Sequence, residues 1–203
     1  MIYRRELLKN LGLLTSATVL PFNDILANDK LTTETSSELV PVLILPNEGE
    51  KANYGNNGST SYIRKITKQH TGGAFSCLDT VLKNGFLGAP PHLHQGIDEL
   101  MYVLDGTVTV MVGNEIVEVP AGGWHFRPRK IMHCFWNTSG KDAHVIDMFL
   151  PGGLDEYLFE LCAVYKKFGV VKPDEVEKFI HNYDIEVHFE LLEPIIKKYH
   201  LKF

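Results

Sequence analysis

From residue 61 to residue 150 the chain runs as short apolar stretches, rich in β-branched and aromatic residues, cut at close intervals by turn residues. The stretch at 99–104 closes on Asp105-Gly106, that at 107–112 on Gly113-Asn114, and that at 115–119 on Pro120-Ala121-Gly122-Gly123. Asp-Gly and Gly-Asn between such stretches mark tight hairpins, because those turns need positive φ. Further strands are predicted at 124–126, 133–137 and 143–150. Many short strands at this spacing predict a mainly-β antiparallel sandwich or barrel. The apolar run at 40–45 reads as a strand entering the barrel, and the Gly/Asn-rich 47–60 as a loop. After Pro151-Gly152-Gly153 the period changes. Leu154, Leu158, Leu161, Cys162, Tyr165 and Phe168 recur at helical spacing, with Gly169 as a stop. Pro173-Asp174-Glu175-Val176 opens a second helix whose buried stripe is Val176, Phe179, Ile180 and Tyr183. Both stripes read as packing against the outside of the barrel or over a sheet edge.

The amino-terminal segment follows other rules. Met1-Ile2-Tyr3-Arg4-Arg5-Glu6-Leu7-Leu8-Lys9 is a basic start, residues 11–20 are moderately apolar, and Ala27 is a plausible cleavage position. That layout predicts a secretory signal over 1–27, and its Arg-Arg order resembles a bacterial twin-arginine signal that delivers the chain to the periplasm. The alternative is an amphipathic helix on a cytoplasmic protein. A polar linker over 28–39, the barrel over 40–150 and a helical extension over 151–203 complete the expected organisation.

Composition narrows the function classes. At 203 residues and 44% hydrophobic content the chain has material for one ordinary core. No apolar run reaches 18 residues, so neither a spanning helix nor a membrane anchor is expected. A formal charge of −5 without a basic stripe argues against nucleic acid. The three cysteines, Cys77, Cys134 and Cys162, have neither disulfide nor zinc-knuckle spacing.

The candidate chemistry lies in His92, His94, Glu99 and His133. On a strand, residues i and i+2 share a face, so His92 and His94 can close on one ion. Glu99 returns after a four-residue turn, and His133 joins them only when the chain folds back. Three imidazoles and a carboxylate suit one divalent transition ion per chain: Fe, Mn, Ni, Co, Cu or Zn. Structural zinc is usually closed by four thiolates or imidazoles, whereas this set leaves coordination positions free.

The residues from Gly85 to Gly106 resemble the first motif of the cupin family: two His separated by one residue, a Glu after a short turn, and a Gly closing the hairpin. Gly122, Pro128, His133 and Asn137 resemble the second motif, with Lys130 where the family usually has Gly. An alternative register ending on His125 lacks the Asn four residues later, because Arg129 stands there. The resemblance spans about residues 40–190 and is closest to single-domain, quercetin-dioxygenase-like cupins. It implies a jelly-roll barrel, a double-stranded β-helix, carrying a pair of carboxy-terminal helices. It also implies a metal-dependent dioxygenase acting with O2 on a small aromatic or enolic, flavonol-like substrate, with Glu99 both ligand and catalytic base. A cupin isomerase, lyase or decarboxylase that needs only Lewis-acid polarisation is the alternative, as is a non-enzymatic binding protein. Strand periodicity and nearby aromatics place Phe75, Met101, Trp124, Phe126, Phe135 and Asn137 on the substrate pocket. A single barrel with open sheet edges is expected to pair as a homodimer.

Overall fold

The structure, a computed structural model, describes residues 39–55 and 57–203. The expected export signal over 1–27 and all but the last residue of the expected linker lie outside the described residues. Two antiparallel sheets face each other. The first holds β1 (Glu50–Tyr54), β2 (Thr60–Ile66), β3 (Ser76–Leu82), β5 (Asp98–Asp105), β8 (Trp124–Arg127) and β10 (Ala143–Leu150), in the order β1-β2-β3-β10-β5-β8. The second holds β4 (Phe86–Leu93), β6 (Thr107–Val112), β7 (Glu115–Pro120), β9 (His133–Asn137) and β11 (Glu186–Val187), in the order β11-β4-β9-β6-β7. Consecutive strands therefore alternate between the two sheets from β4 to β6 and from β7 to β10, as a jelly roll requires.

The Gly113-Asn114 hairpin forms and joins β6 to β7 in antiparallel pairing. The Asp105-Gly106 turn, expected to be a hairpin, instead passes the chain from one sheet to the other, because β5 pairs with β10 and β8 while β6 pairs with β7 and β9. Gly106, at φ +81°, turns β5 into β6, and a Cβ there would lie 2.8 Å from the Asp142 carbonyl oxygen. Alternation then sorts the side chains. Leu82, Met101, Val103, Val108, Val110 and Val145 fill one end of the space between the sheets and are fully buried. Burying each such side chain stabilises the fold by roughly 1.5–3 kcal/mol against leaving it exposed.

Two expectations need correction. The run at 40–45 is not a strand but a mostly exposed segment without regular structure, held at its end where Lys65 Nζ donates to the carbonyls of Leu45, Pro46 and Glu48. Its apolar residues find no strand to pair with. Instead β1 forms inside the Gly/Asn-rich stretch read as loop, with Lys51 opposite Ile63 and Asn53 opposite Ser61. Pairing to β2 outweighs the weak local propensity, the usual tertiary override in sheets.

The extension begins as expected. α1 (Leu154–Phe168) carries Asp155 and Glu156 in its first turn and Lys166 and Lys167 in its last, matching the helix dipole. Gly169 caps it in the left-handed conformation, its N–H donating to the Tyr165 carbonyl at 2.8 Å. The helix opened by Pro173 is shorter than its stripe suggested. α2 (Pro173–Val176) lasts one turn, and a 3-10 turn follows at Ile180–Asn182. Val176, Phe179, Ile180 and Tyr183 nevertheless pack inward. The chain next pairs as β11 with His92 and Leu93 of β4, and ends in α3 (Leu192–Tyr199).

Candidate metal centre

Strand pairing assembles the site. His92 lies near the end of β4, directly opposite His133 at the start of β9. His94 follows β4, and Glu99 is the second residue of β5. All four side chains are buried, and one ligand atom from each lies within 4.8 Å of the others. A single ion with ligand bonds of about 2.1 Å spans such a group.

The protonation pattern suits a cation. His92 Nδ1 donates to the Pro90 carbonyl at 2.8 Å, and His133 Nδ1 to the Ile131 carbonyl at 3.0 Å. His94 Nδ1 donates to the carbonyl of Asp184. Each ring therefore carries a proton on its outer nitrogen and turns Nε2 inward, towards the Glu99 carboxylate. Burial pushes His92 down to about 4, so it stays neutral at physiological pH. Burial also disfavours the charged form of His94, but Glu99 and the Asp184 carbonyl outweigh it and the net shift is upward. His133 Nε2 is buried without a hydrogen-bond partner, a cost that coordination would remove. Glu99 Oε1 lies 3.0 Å from His94 Nε2, 3.4 Å from His133 Nε2 and 3.6 Å from His92 Nε2. The donor set and its orphaned nitrogen fit one divalent metal ion per chain.

Behind the ligands stands a residue the sequence did not single out. Arg127, fully buried on β8, places Nη2 3.1 Å from Glu99 Oε2 and 2.9 Å from Asp147 Oδ1. Burial alone would raise the Glu99 carboxyl. Arg127, His133 and His92 outweigh it and hold that carboxyl well below the usual range. Asp147 goes the other way: burial, reinforced by the Glu99 charge, lifts it against the pull of Arg127.

The carboxy-terminal extension also supports the site. Asp184 orients His94 through its carbonyl, and its carboxylate accepts the N–H groups of Gln95 at 2.9 Å and Gly96 at 2.6 Å. The turn between His94 and Glu99 is thus held by a residue 90 positions away. Nothing local in the sequence marks Asp184 for this task. On the other side, Arg129 donates to Asp98 from its backbone N–H at 2.8 Å and its Nε at 3.0 Å, which fixes the turn leading to His133.

Lys130 lies in that turn, where the cupin motif usually has Gly, and adopts φ +65°. The turn keeps its glycine-like shape, with the Lys130 N–H donating to the His94 carbonyl at 2.6 Å. A left-handed non-glycine residue costs roughly 1–2 kcal/mol, part of which glycine returns through the entropy of the unfolded chain. Lys130→Gly should therefore raise stability by up to about 1 kcal/mol, or roughly 2–4 °C in Tm, with metal per chain unchanged. Thermal melts of the two proteins check this, and a lower Tm for the glycine variant would contradict it.

A cavity of about 530 Å³ opens beside the cluster, with His92, Glu99 and Asp147 among the residues that line it. Of the six pocket residues expected from sequence, Phe135 lines this cavity. Met101 is fully buried in the core between the sheets. Asn137 is also buried, and it staples a turn by donating to the Leu82 and Lys141 carbonyls at 3.0 and 2.8 Å. Phe75 immediately precedes β3 and is not among the residues that line the cavity. Trp124 and Phe126 point to solvent, 59% and 54% exposed, because β8 turns His125 and Arg127 inward instead. His125 is half-buried near the cluster, with burial, Arg127 and His133 lowering its ring pKa, but His133 supplies the fourth ligand atom. The stripe of α1, read as packing, lines the cavity through Leu154, Tyr157, Leu158 and Leu161.

Residues 79–149 match the family described as the cupin domain. The barrel has the cupin-type fold. Among solved structures, a predicted oxalate decarboxylase from Thermotoga maritima is 19% identical, with a TM-score of 0.50, over 54% of this chain and 99% of that one. KdgF from Halomonas sp. is 20% identical, with a TM-score of 0.49, over 58% of this chain and 99% of that one. The polyketide cyclase RemF from Streptomyces resistomycificus is 18% identical, with a TM-score of 0.47, over 55% and 80%. At such identities a likeness extends to fold alone. No curated protein matches the chain. The cupin match ends at residue 149, so α1 and everything after it, including Asp184, lie beyond it.

Proposed function

We propose that the cupin domain is a metal-dependent enzyme of the isomerase, lyase or decarboxylase kind, acting on an oxygen function of a small molecule. The observation that carries this reading is that two metal-ligating side chains, His92 and Glu99, and a separate buried carboxyl, Asp147, open on one cavity. A divalent ion at the cluster would supply Lewis-acid polarisation of a carbonyl or enolate oxygen. Proton handling falls to the chain. Glu99 has one oxygen among the imidazoles and the other against Arg127, so it suits a fixed ligand better than a base that must swing free. Asp147 has the lifted carboxyl that can hold and return a proton, with Arg127 fixing one of its oxygens. Dioxygenation of an enol in the same cavity is the competing reading, and the two differ in their need for O2.

Metal-loaded protein screened against β-keto acids, enolisable ketones and flavonols, in air and under argon, separates them. Turnover should persist under argon. Asp147→Asn should lower kcat by about 10²–10⁴-fold and leave metal per chain unchanged. Activity that vanishes under argon would establish the dioxygenase instead. Absence of turnover on every compound would leave a binding protein.

A further inference from the structure

The carboxy-terminal extension changes what the barrel can hold. α1 presents Leu154, Tyr157, Leu158 and Leu161 to the cavity, a spacing that puts them on one helical face. Val176, Ile180, Ile185 and Val187 close it from the segment after α1. β11 adds to the sheet beside His92, so this roof is hydrogen-bonded to the strand that carries a metal ligand. The 530 Å³ enclosed lies within the range of drug-sized ligand sites.

Polar groups are unevenly placed. His92, Glu99 and Asp147 gather at the cluster, Tyr54, Tyr62 and Tyr157 add three hydroxyls to an otherwise apolar wall, and Glu177 is exposed with Phe189, itself 64% exposed, where the lining reaches solvent. No lysine or arginine is among the described residues that line the cavity. A phosphate would find no cationic partner in the roofed space, and a sugar would leave most of its hydroxyls unpaired. Aliphatic and aromatic side chains make up most of the wall between the cluster and the rim.

From this asymmetry we infer that the chamber takes a lipophilic small molecule with one oxygen-bearing head, such as an enol, keto acid or carboxylate, whose head meets the metal cluster and whose hydrocarbon body lies against α1 and the 176–187 segment. The inference rests on the metal reading above and adds to it the substrate class and the residues that select it. The carboxy-terminal extension, beyond the matched cupin segment, is then the specificity element.

The test uses the full chain loaded with cobalt(II), whose visible absorption reports ligands reaching the ion, titrated with acetohydroxamate, butyrohydroxamate, hexanohydroxamate and octanohydroxamate. The head is constant and the tail grows. Each added methylene should tighten binding roughly threefold to fourfold, as expected for full burial. Leu161→Trp and Ile180→Trp, which fill the chamber from two different elements, should weaken octanohydroxamate at least tenfold and leave acetohydroxamate unchanged. An affinity that does not rise with tail length, alongside a clear cobalt response, overturns the lipophilic chamber while the metal site stands. If both tryptophan variants weaken the short and long probes equally, the roof is not the selecting surface. A cobalt spectrum that ignores even acetohydroxamate removes the accessible metal on which both readings depend.

Discussion

Arg127→Met should destabilise the barrel by about 3–5 kcal/mol, the cost of breaking a buried ion pair from one side. Arg127 is fully buried, and its Nη2 lies 3.1 Å from Glu99 and 2.9 Å from Asp147, both buried carboxylates. Methionine keeps much of the volume but leaves two buried carboxyls without their cationic partner, so that the interior holds an unpaired charge or must take up a proton. Urea unfolding of the metal-free protein measures the loss. Two further results should accompany it. Asp147→Asn in the same chain should recover part of the stability, because one of the two unpaired buried carboxyls is gone. Saturating metal should also recover part, because the ion neutralises Glu99 and binds only the folded state. A loss below about 1 kcal/mol, within the range of an exposed pair, would show that Arg127 is not the internal counter-ion described.

The second large effect concerns the ligand set. His133→Ala removes one of three inward nitrogens and opens a hole beside the ion, so affinity should fall at least as far as the roughly 10–100-fold seen when only an outer hydrogen-bond partner is lost. His125→Ala should leave metal per chain unchanged. Its ring lies close to Arg127 and His133 but contributes no atom to the cluster. Elemental analysis after identical loading at limiting metal compares the two. A site emptied by His125→Ala and retained in His133→Ala would reverse the assignment and move the second cupin motif by eight residues.

The ligands were legible because their spacing reports local geometry. His92 and His94 share a strand face by period alone, a short turn brings Glu99 back, and the Gly122-to-Asn137 pattern selects His133 over His125. Lys130 shows that such a pattern describes a shape more than a residue type, since the turn takes φ +65° without the usual glycine. The support around the ligands was not legible in the same way. Asp184 is far from His94 in sequence, and Arg127 sits in a strand whose apolar residues suggested the opposite orientation.

β8 makes the limit concrete. Read by hydrophobicity, Trp124 and Phe126 face inward and Arg127 faces water. The structure reverses this, because strand parity is all or none and the inner position must supply a cation to Glu99 and Asp147. Trp124 stacks instead on Tyr102 at the outer face, ring centroids 4.6 Å apart. Within the sequence, short-range patterns determined the mainly-β fold, the places of its turns, α1 with its glycine cap, and the four ligands, because turns, strand faces and helix caps each depend on only a few consecutive residues. Tertiary structure alone decided that β1 forms in a Gly/Asn-rich stretch, that Arg127 turns inward, that Asp184 holds His94, and that the α1 stripe roofs a cavity. Each of these depends on what stands opposite, and a partner tens of residues away leaves no mark on the local pattern.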